Sequence, residues 1–194
     1  MTTLFDFSAF PVLETPRLVL REITPDDAHA IFSIRGDIRV SRLNSGQPMQ
    51  SLDQALDLIE TGRQAFADQR RIDWGITLKD QPALGVIGRC GFNYILQRDR
   101  RASIGYDLAF AQWGNGIMTE AVRAMITFGF ERLDLNRIEA DAAAENIGSI
   151  RVLEKVGFKH EGVQEEQYFE WDEFHDLVML ALLKKDFDQR EVRR

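Results

Sequence analysis

The spacing of apolar residues changes period several times along the chain, and each change marks a new element. Residues 17–23, RLVLREI, alternate apolar and polar as a strand does. Thr24 then caps a helix whose first position is Pro25 and whose first turn carries Asp26 and Asp27, a start that suits the helix dipole. A second helical stretch runs from about residue 51 to 66 and ends in the basic pair Arg70 and Arg71. Three strand-like runs follow, DWGITL, LGVIGRCGFNYIL and RASIGYDLA, the last two joined by the charged turn QRDRR. They predict an antiparallel meander.

Between residues 117 and 133 the period becomes helical. Ile117, Ala121, Ala124 and Phe128 form one stripe and Val122, Ile126 and Phe130 another, so the helix is expected to lie buried against a sheet. NRIEADAAA reads as a strand, and ENIGSIRVLEKVGF as a short helix with clear ends. Asn146 is its N-cap, Gly157 supplies a left-handed C-terminal residue, and Phe158 folds back on Leu153. HEGVQEEQYFEW, a turn near Asp172 and LVMLALL predict two antiparallel strands, and the charged tail from Lys184 is expected to fray. The elements predict an α+β, or mixed α/β, layer: strand, two helices, meander, then strand-helix-strand-helix and a final hairpin.

A chain of 194 residues suffices for one sizeable core, and residues 1–194 are read as one domain. With 44% hydrophobic and 28% charged residues it has the composition of an ordinary globular protein. No apolar run reaches the roughly 18 residues of a membrane helix. The opening MTTLFDFSAFPVLE carries no Lys or Arg of a secretory signal, so a cytoplasmic location is expected. Cys90 is the only cysteine; it excludes an intrachain disulfide and reads, within GRCGF, as a small buried apolar residue. A formal net charge of -7 argues against nucleic acid or an anionic membrane as partner and suits a cationic substrate. His29, His160 and His175 have no metal-ligand spacing and WDEFHD lacks the calcium-loop pattern, so no metal is expected.

The chemistry concentrates in QWGNGIMTEA at residues 112–121. Gly114 and Gly116 stand one residue apart directly before the buried helix, where unpaired amides and the helix dipole favour an anion and absent side chains admit one. Paired glycines before a helix also serve a tight turn, and both readings stay open on this stretch alone. The named anion loops fail: Gly116 is followed by Ile117 and Met118 rather than Lys-Ser/Thr, and the third glycine of a dinucleotide fingerprint is replaced by Thr119.

WGNGIMTEAV together with ENIGSIRVLEKVGFKHEG resembles the GCN5-related N-acetyltransferases, and within them the RimJ/RimL branch of ribosomal-protein N-terminal acetyltransferases. LETPRLVLREITPDD matches that branch's opening strand and helix, so the likeness covers nearly the whole chain. The family pattern Gln/Arg-x-x-Gly-x-Gly/Ala is met at both glycines, while its first position is Ala111. The resemblance implies a GNAT fold, a central, mostly antiparallel twisted sheet splayed between its fourth and fifth strands, with helices on both faces. It implies acetyl-CoA as co-substrate and no metal. The pantetheine arm would pair with backbone at Leu108 and Ala109, one of whose amides would polarise the thioester carbonyl. The pyrophosphate would sit on amides of Trp113, Gly114, Asn115, Gly116, Ile117 and Met118.

By the same resemblance Asn146 and Ser149 stand beside the cofactor, and Ser149 protonates the departing thiolate. Other members of the superfamily carry a tyrosine acid on this helix, at the place occupied here by Leu153. The base is expected among Asp141, Tyr168, Glu166 and Glu165. The implied activity is direct attack of a primary amine, first a protein N-terminal α-amine, on the thioester. The alternatives are a small-molecule amine (polyamine, amino sugar or amino acid) and a non-catalytic coenzyme A-binding protein. A nucleotide-cofactor oxidoreductase is disfavoured by the missing third glycine. A homodimer is also expected, and acceptor choice is assigned to the N-terminal helices, the loop 36–50 and the final hairpin.

Overall fold

The computed structural model describes residues 6–44 and 46–191; Ser45 of the loop 36–50, the first five residues and the tail residues 192–194 lie outside the described residues. The chain opens with strands β1 (Leu13–Glu14) and β2 (Leu18–Glu22), a 3-10 turn at Pro25–Asp27, and helices α1 (Ala28–Arg35), α2 (Ile38–Ser41) and α3 (Leu52–Ala67). The meander is β3 (Ile72–Leu78), β4 (Gly88–Leu96) and β5 (Arg101–Leu108). Then come α4 (Ile117–Glu131), β6 (Arg137–Ala143), α5 (Ile147–Val156), β7 (Lys159–Glu170), β8 (Glu173–Leu183) and α6 (Lys184–Glu191).

The eight strands form one sheet in the order β1-β2-β3-β4-β5-β6-β8-β7. Every neighbouring pair is antiparallel except β5 with β6, which is parallel and very short: only Arg101↔Arg137, Ala102↔Ile138 and Ser103↔Glu139 face each other. Beyond Ser103 and Glu139 the two strands no longer pair with each other, β5 running on beside β4 to Leu108 and β6 beside β8 to Ala143. That divergence is the expected splay, between strands now numbered β5 and β6 because β1 adds one.

Alternation along β3 explains the layers. Ile72, Trp74, Ile76 and Leu78 face the main core, where the Trp74 ring meets Phe128 of α4 edge-on at 5.5 Å and Phe92 at 6.0 Å. On the opposite face Gly75 leaves room for Ile23 and Val86, since a Cβ there would come within 2.9 Å of Val86, and a second cluster joins Ile31 of α1 to Ala55 and Ile59 of α3. Helices thus cover both faces. Trp74 is fully buried and its indole N–H donates to the Pro11 carbonyl at 2.7 Å. Trp74→Ala is expected to destabilise the fold by about 3–5 kcal/mol, read from urea denaturation midpoints at constant slope.

Local chemistry sets the element ends. The Asp27 carboxylate accepts from the Thr24 amide at 2.9 Å and pairs with Arg21, so the turn predicted to open a helix is a capped 3-10 turn feeding α1. In α4 the two apolar stripes are buried except Ala124, which is half-buried. β4 begins at Gly88, later than the alternation suggested, because the 3-10 turn Pro82–Leu84 precedes it. The tail is helical instead of frayed as far as Glu191: Phe187 packs at 4.9 Å on Phe130, giving one apolar anchor to an otherwise charged segment. Cys90 is 1% exposed in the core, and burial pushes its thiol well above the ordinary range.

Candidate active site

The splay opens two clefts that share one wall. The first, about 510 Å³, lies between the end of β5, the glycine loop and the first turns of α4 and α5. Gly114, Gly116, Ile117 and Met118 line it beside Trp113, with Val40 and Leu43 opposite. The second, about 530 Å³, lies between the diverging parts of β5 and β6 and the end of β7; Asp141, Tyr168 and Glu170 line it. Tyr106, Asp107, Asn146 and Ser149, with Leu43 and Asn44, belong to both.

The glycine loop fits a phosphate for reasons visible in its backbone. Gly114 has φ 78° and Gly116 φ 73°, left-handed values that L side chains rarely adopt. A Cβ at Gly114 would meet nothing within 4 Å, so the space before it is open. The amides of Gly114, Asn115, Gly116, Ile117 and Met118 find no hydrogen-bond partner among the described residues, whereas the Trp113 amide is committed to the Phe110 carbonyl at 3.1 Å. The run of open amides is therefore Gly114 to Met118, one residue shorter than Trp113 to Met118. Trp113 contributes its side chain instead: its indole N–H donates to the Leu108 carbonyl at 2.8 Å. From outside, Arg17 holds the loop, donating to the Asn115 carbonyl at 3.0 Å while its Nε meets Glu120 at 2.6 Å.

The strand end is likewise partly spent. The Ala109 amide donates to the Ile87 carbonyl at 2.9 Å and its own carbonyl accepts from Gln112. Strand alternation turns the Leu108 amide to the other edge, towards the splay, leaving it as the donor that can polarise a thioester carbonyl. Arg151 and Lys155, one helical turn apart on α5, also line the first cleft and place positive charge near the cradle. They were missed in the sequence, although the four-residue step from Arg151 to Lys155 places them on one face of α5.

At the shared wall, Asn146 caps α5: its Oδ1 accepts from the Ser149 amide at 3.0 Å and its Nδ2 donates to the Leu43 carbonyl at 2.9 Å. Both polar ends are used, so Asn146 shapes the wall and ties it to the loop after α2. Gly157 takes φ 114° and the Phe158 amide donates to the Leu153 carbonyl at 3.0 Å, the predicted C-terminal closure. Ser149 Oγ lies 2.7 Å from the hydroxyl of Tyr106 on β5. No sequence pattern pointed to Tyr106, since its partner is 43 residues away on another element.

The base candidates separate. Asp141 lines the second cleft with no hydrogen-bond partner among the described residues, and although it stands at the mouth, partial enclosure pushes its carboxyl above the usual range. Tyr168 lines the same cleft, stacked on His175 at 4.9 Å, its hydroxyl raised by burial and by the acids Glu145, Glu170 and Asp141. Glu165 and Glu166 do not line it. The β7–β8 register slips between Gln164 and Tyr168, Glu166 sits at φ 49° with its amide on Asp176, and the bulge carries both side chains away; Glu170 takes their place. Asp107, 3% exposed, is held between Arg35 at 3.0 Å and Arg89 at 2.8 Å.

A splayed sheet, a left-handed glycine loop at a helix start and a hydroxyl at the junction of two clefts stand together at the end of β5. The model of the GNAT acetyltransferase domain matches residues 17–159, and the chain belongs to that family: it is an N-acetyltransferase that draws its acetyl group from acetyl-CoA. Among its relatives is the Bacillus subtilis protein "Uncharacterized N-acetyltransferase YoaA", 37% identical over 175 residues that cover 90% of this chain and 98% of that protein. "Putative ribosomal N-acetyltransferase YdaF", also of Bacillus subtilis, is 37% identical over 131 residues, 68% of this chain and 69% of that protein. Mycobacterium smegmatis RimJ, solved in complex with CoA-disulfide, shares the fold with a TM-score of 0.80 at 23% identity, over 90% of each chain being covered (94% and 92%). No helix among the described residues is long and apolar enough to cross a membrane.

Proposed function

We propose that the acceptor is a protein N-terminal α-amine, acetylated by direct attack on the thioester of acetyl-CoA. The observation that carries this reading is the pair of clefts meeting at Ser149, one lined by the anion cradle and the other by Asp141, Tyr168 and Glu170. The likeness to YdaF supports a ribosomal-protein type of acceptor.

In this reading the cofactor's pyrophosphate rests on the amides from Gly114 to Met118, and its thioester reaches the splay beside Leu108. An α-ammonium, with a pKa of about 8, is mostly charged at neutral pH and enters a cleft lined by Asp141 and Glu170. Asp141 is the proposed base: a raised pKa brings a carboxylate nearer to its task, and Tyr168 borders the same space. The free amine attacks, the Leu108 amide polarises the carbonyl oxygen, and the Ser149 hydroxyl protonates the thiolate. The reading treats residues 1–194 as one cytoplasmic transferase domain acting as a homodimer, checked by cell fractionation and sedimentation equilibrium.

The deciding experiment measures free thiol release from acetyl-CoA with three acceptors: a peptide bearing a free α-amine, spermidine and kanamycin. Turnover with the peptide, and acetylation mapped to its terminus by mass spectrometry, is the expected result; turnover confined to spermidine or kanamycin would replace it with a small-molecule acceptor. A companion prediction concerns charge. The Asp141→Asn/Glu170→Gln double variant should show a shallower fall of acceptor kcat/KM with ionic strength than the wild type, because its cleft attracts the cation less across a Debye length of about 10 Å at 0.1 M salt. Parallel curves would remove these acids from acceptor capture.

A further inference from the structure

Two hydroxyl groups touch where the clefts join. Tyr106 Oη is 2.7 Å from Ser149 Oγ and 3.2 Å from the Ser149 carbonyl oxygen, and both residues line both clefts. Nothing else among the described residues bonds the phenol. Tyr106 stands on the stretch of β5 beyond Ser103, where β6 has already turned away, and the Asn146 cap fixes the turn of α5 that faces it. Asn146 on this wall is committed to Leu43 and Ser149, and Asp107 gives its Oδ2 to Arg35 and Arg89 while its buried Oδ1 has no partner among the described residues.

Geometry allows this pair two arrangements. When the phenol donates to Ser149 Oγ, the serine proton must point elsewhere, into the open cleft. When the serine donates to the phenol, the phenol proton turns to the Ser149 carbonyl. Burial pushes the Tyr106 hydroxyl above its ordinary range, so it stays neutral in either arrangement, and only the first leaves the serine proton facing the cleft.

We propose that Tyr106 and Ser149 form a two-hydroxyl proton relay across the splay, carrying the proton that the acceptor nitrogen sheds on acylation to the departing thiolate. The proposal rests on the assignment of Ser149 as the thiolate's donor. The balance is complete: the N–C bond forms and the C–S bond breaks; the nitrogen loses one proton to the Tyr106 oxygen, Tyr106 passes its own to Ser149 Oγ, and Ser149 passes its own to sulfur. Both hydroxyls end as they began, with no ion left in the cleft and no further reactant needed. A tyrosine from the strand thereby takes part where the helix offers only Leu153.

The test compares wild type, Tyr106→Phe, Ser149→Ala and the double variant, with the α-amine peptide, spermidine and kanamycin as acceptors. Tyr106→Phe removes one oxygen and keeps the ring. It should lower kcat by roughly 10- to 100-fold while the acetyl-CoA Kd, from calorimetry, stays within about twofold. The double variant should be no slower than Ser149→Ala alone, because a broken wire cannot be broken twice. In mixed H2O/D2O the wild-type rate should bow with deuterium fraction, as several protons in flight require, and the Tyr106→Phe rate should follow a line. Tyr106→Phe at the wild-type rate, or losses that multiply in the double variant, would overturn the relay while leaving Ser149 in place if Ser149→Ala is slow. Ser149→Ala at the wild-type rate would overturn the Ser149 assignment and the relay together, and a wild type inert towards all three amines would overturn acetyl transfer to them and the relay with it.

Discussion

Gly116→Val should lose acetyl-CoA affinity by roughly 10- to 200-fold, the equivalent of one charge-assisted hydrogen bond at roughly 1.5–3 kcal/mol. The residue sits at φ 73° as the last residue before α4, and its amide is among those left open to the cleft. A branched side chain there does two separable things: it strains a left-handed backbone, and its Cβ stands 3.6 Å from Arg17 Nη2, so its branches crowd the guanidinium that holds the loop carrying the open amides. Gly116→Asn separates them, because asparagine tolerates left-handed angles but still carries a Cβ. Both variants should bind acetyl-CoA weakly in calorimetry, while only the valine variant should melt markedly lower. Asparagine binding with native affinity would assign the glycine to backbone conformation alone.

The second large effect is expected from Ser149→Ala, a kcat loss of roughly ten- to a thousandfold with acetyl-CoA affinity near native. The serine contributes no phosphate contact in this reading, and its amide, which Asn146 caps, survives the substitution. Removing Oγ leaves the Tyr106 hydroxyl its 3.2 Å contact to the Ser149 carbonyl, so the buried phenol is not orphaned and stability should change little. Steady-state kcat and KM with the peptide, beside a thermal melt, check both halves of the expectation. An unaltered kcat would leave Ser149 as a helix residue and nothing more.

Features fixed within a few residues were legible in the sequence. The ends of α5 followed from Asn146, Gly157 and Phe158, since capping needs particular side chains at particular offsets. The bare backbone of Gly114 and Gly116 before α4 was legible as a glycine pair, but its left-handed angles and the commitment of the Trp113 amide to Phe110 were not. The splay depends on where β5 and β6 stop pairing, a tertiary property that neither strand's pattern carries; the family resemblance supplied it. The same holds for Tyr106, whose alternation in β5 says only that it points one way. Glu165 and Glu166 lie on a bulge, which inserts residues without disturbing composition, and Glu170 rather than either of them lines the cleft. The helix α2 was too short to have a period, and α6 has a single buried aromatic.

The interior position of Cys90 makes the protein silent to thiol reagents. With one sulfhydryl in the chain, 1% exposed and poorly ionised, an aromatic disulfide dye added to the folded enzyme reports coenzyme A and nothing else. Continuous colorimetry of every variant above is therefore free of a protein background. The converse is also useful: colour that rises without acetyl-CoA marks molecules whose meander has come apart, so the same cuvette timed over hours counts global openings, and a Trp74→Ala sample should label sooner than the parent.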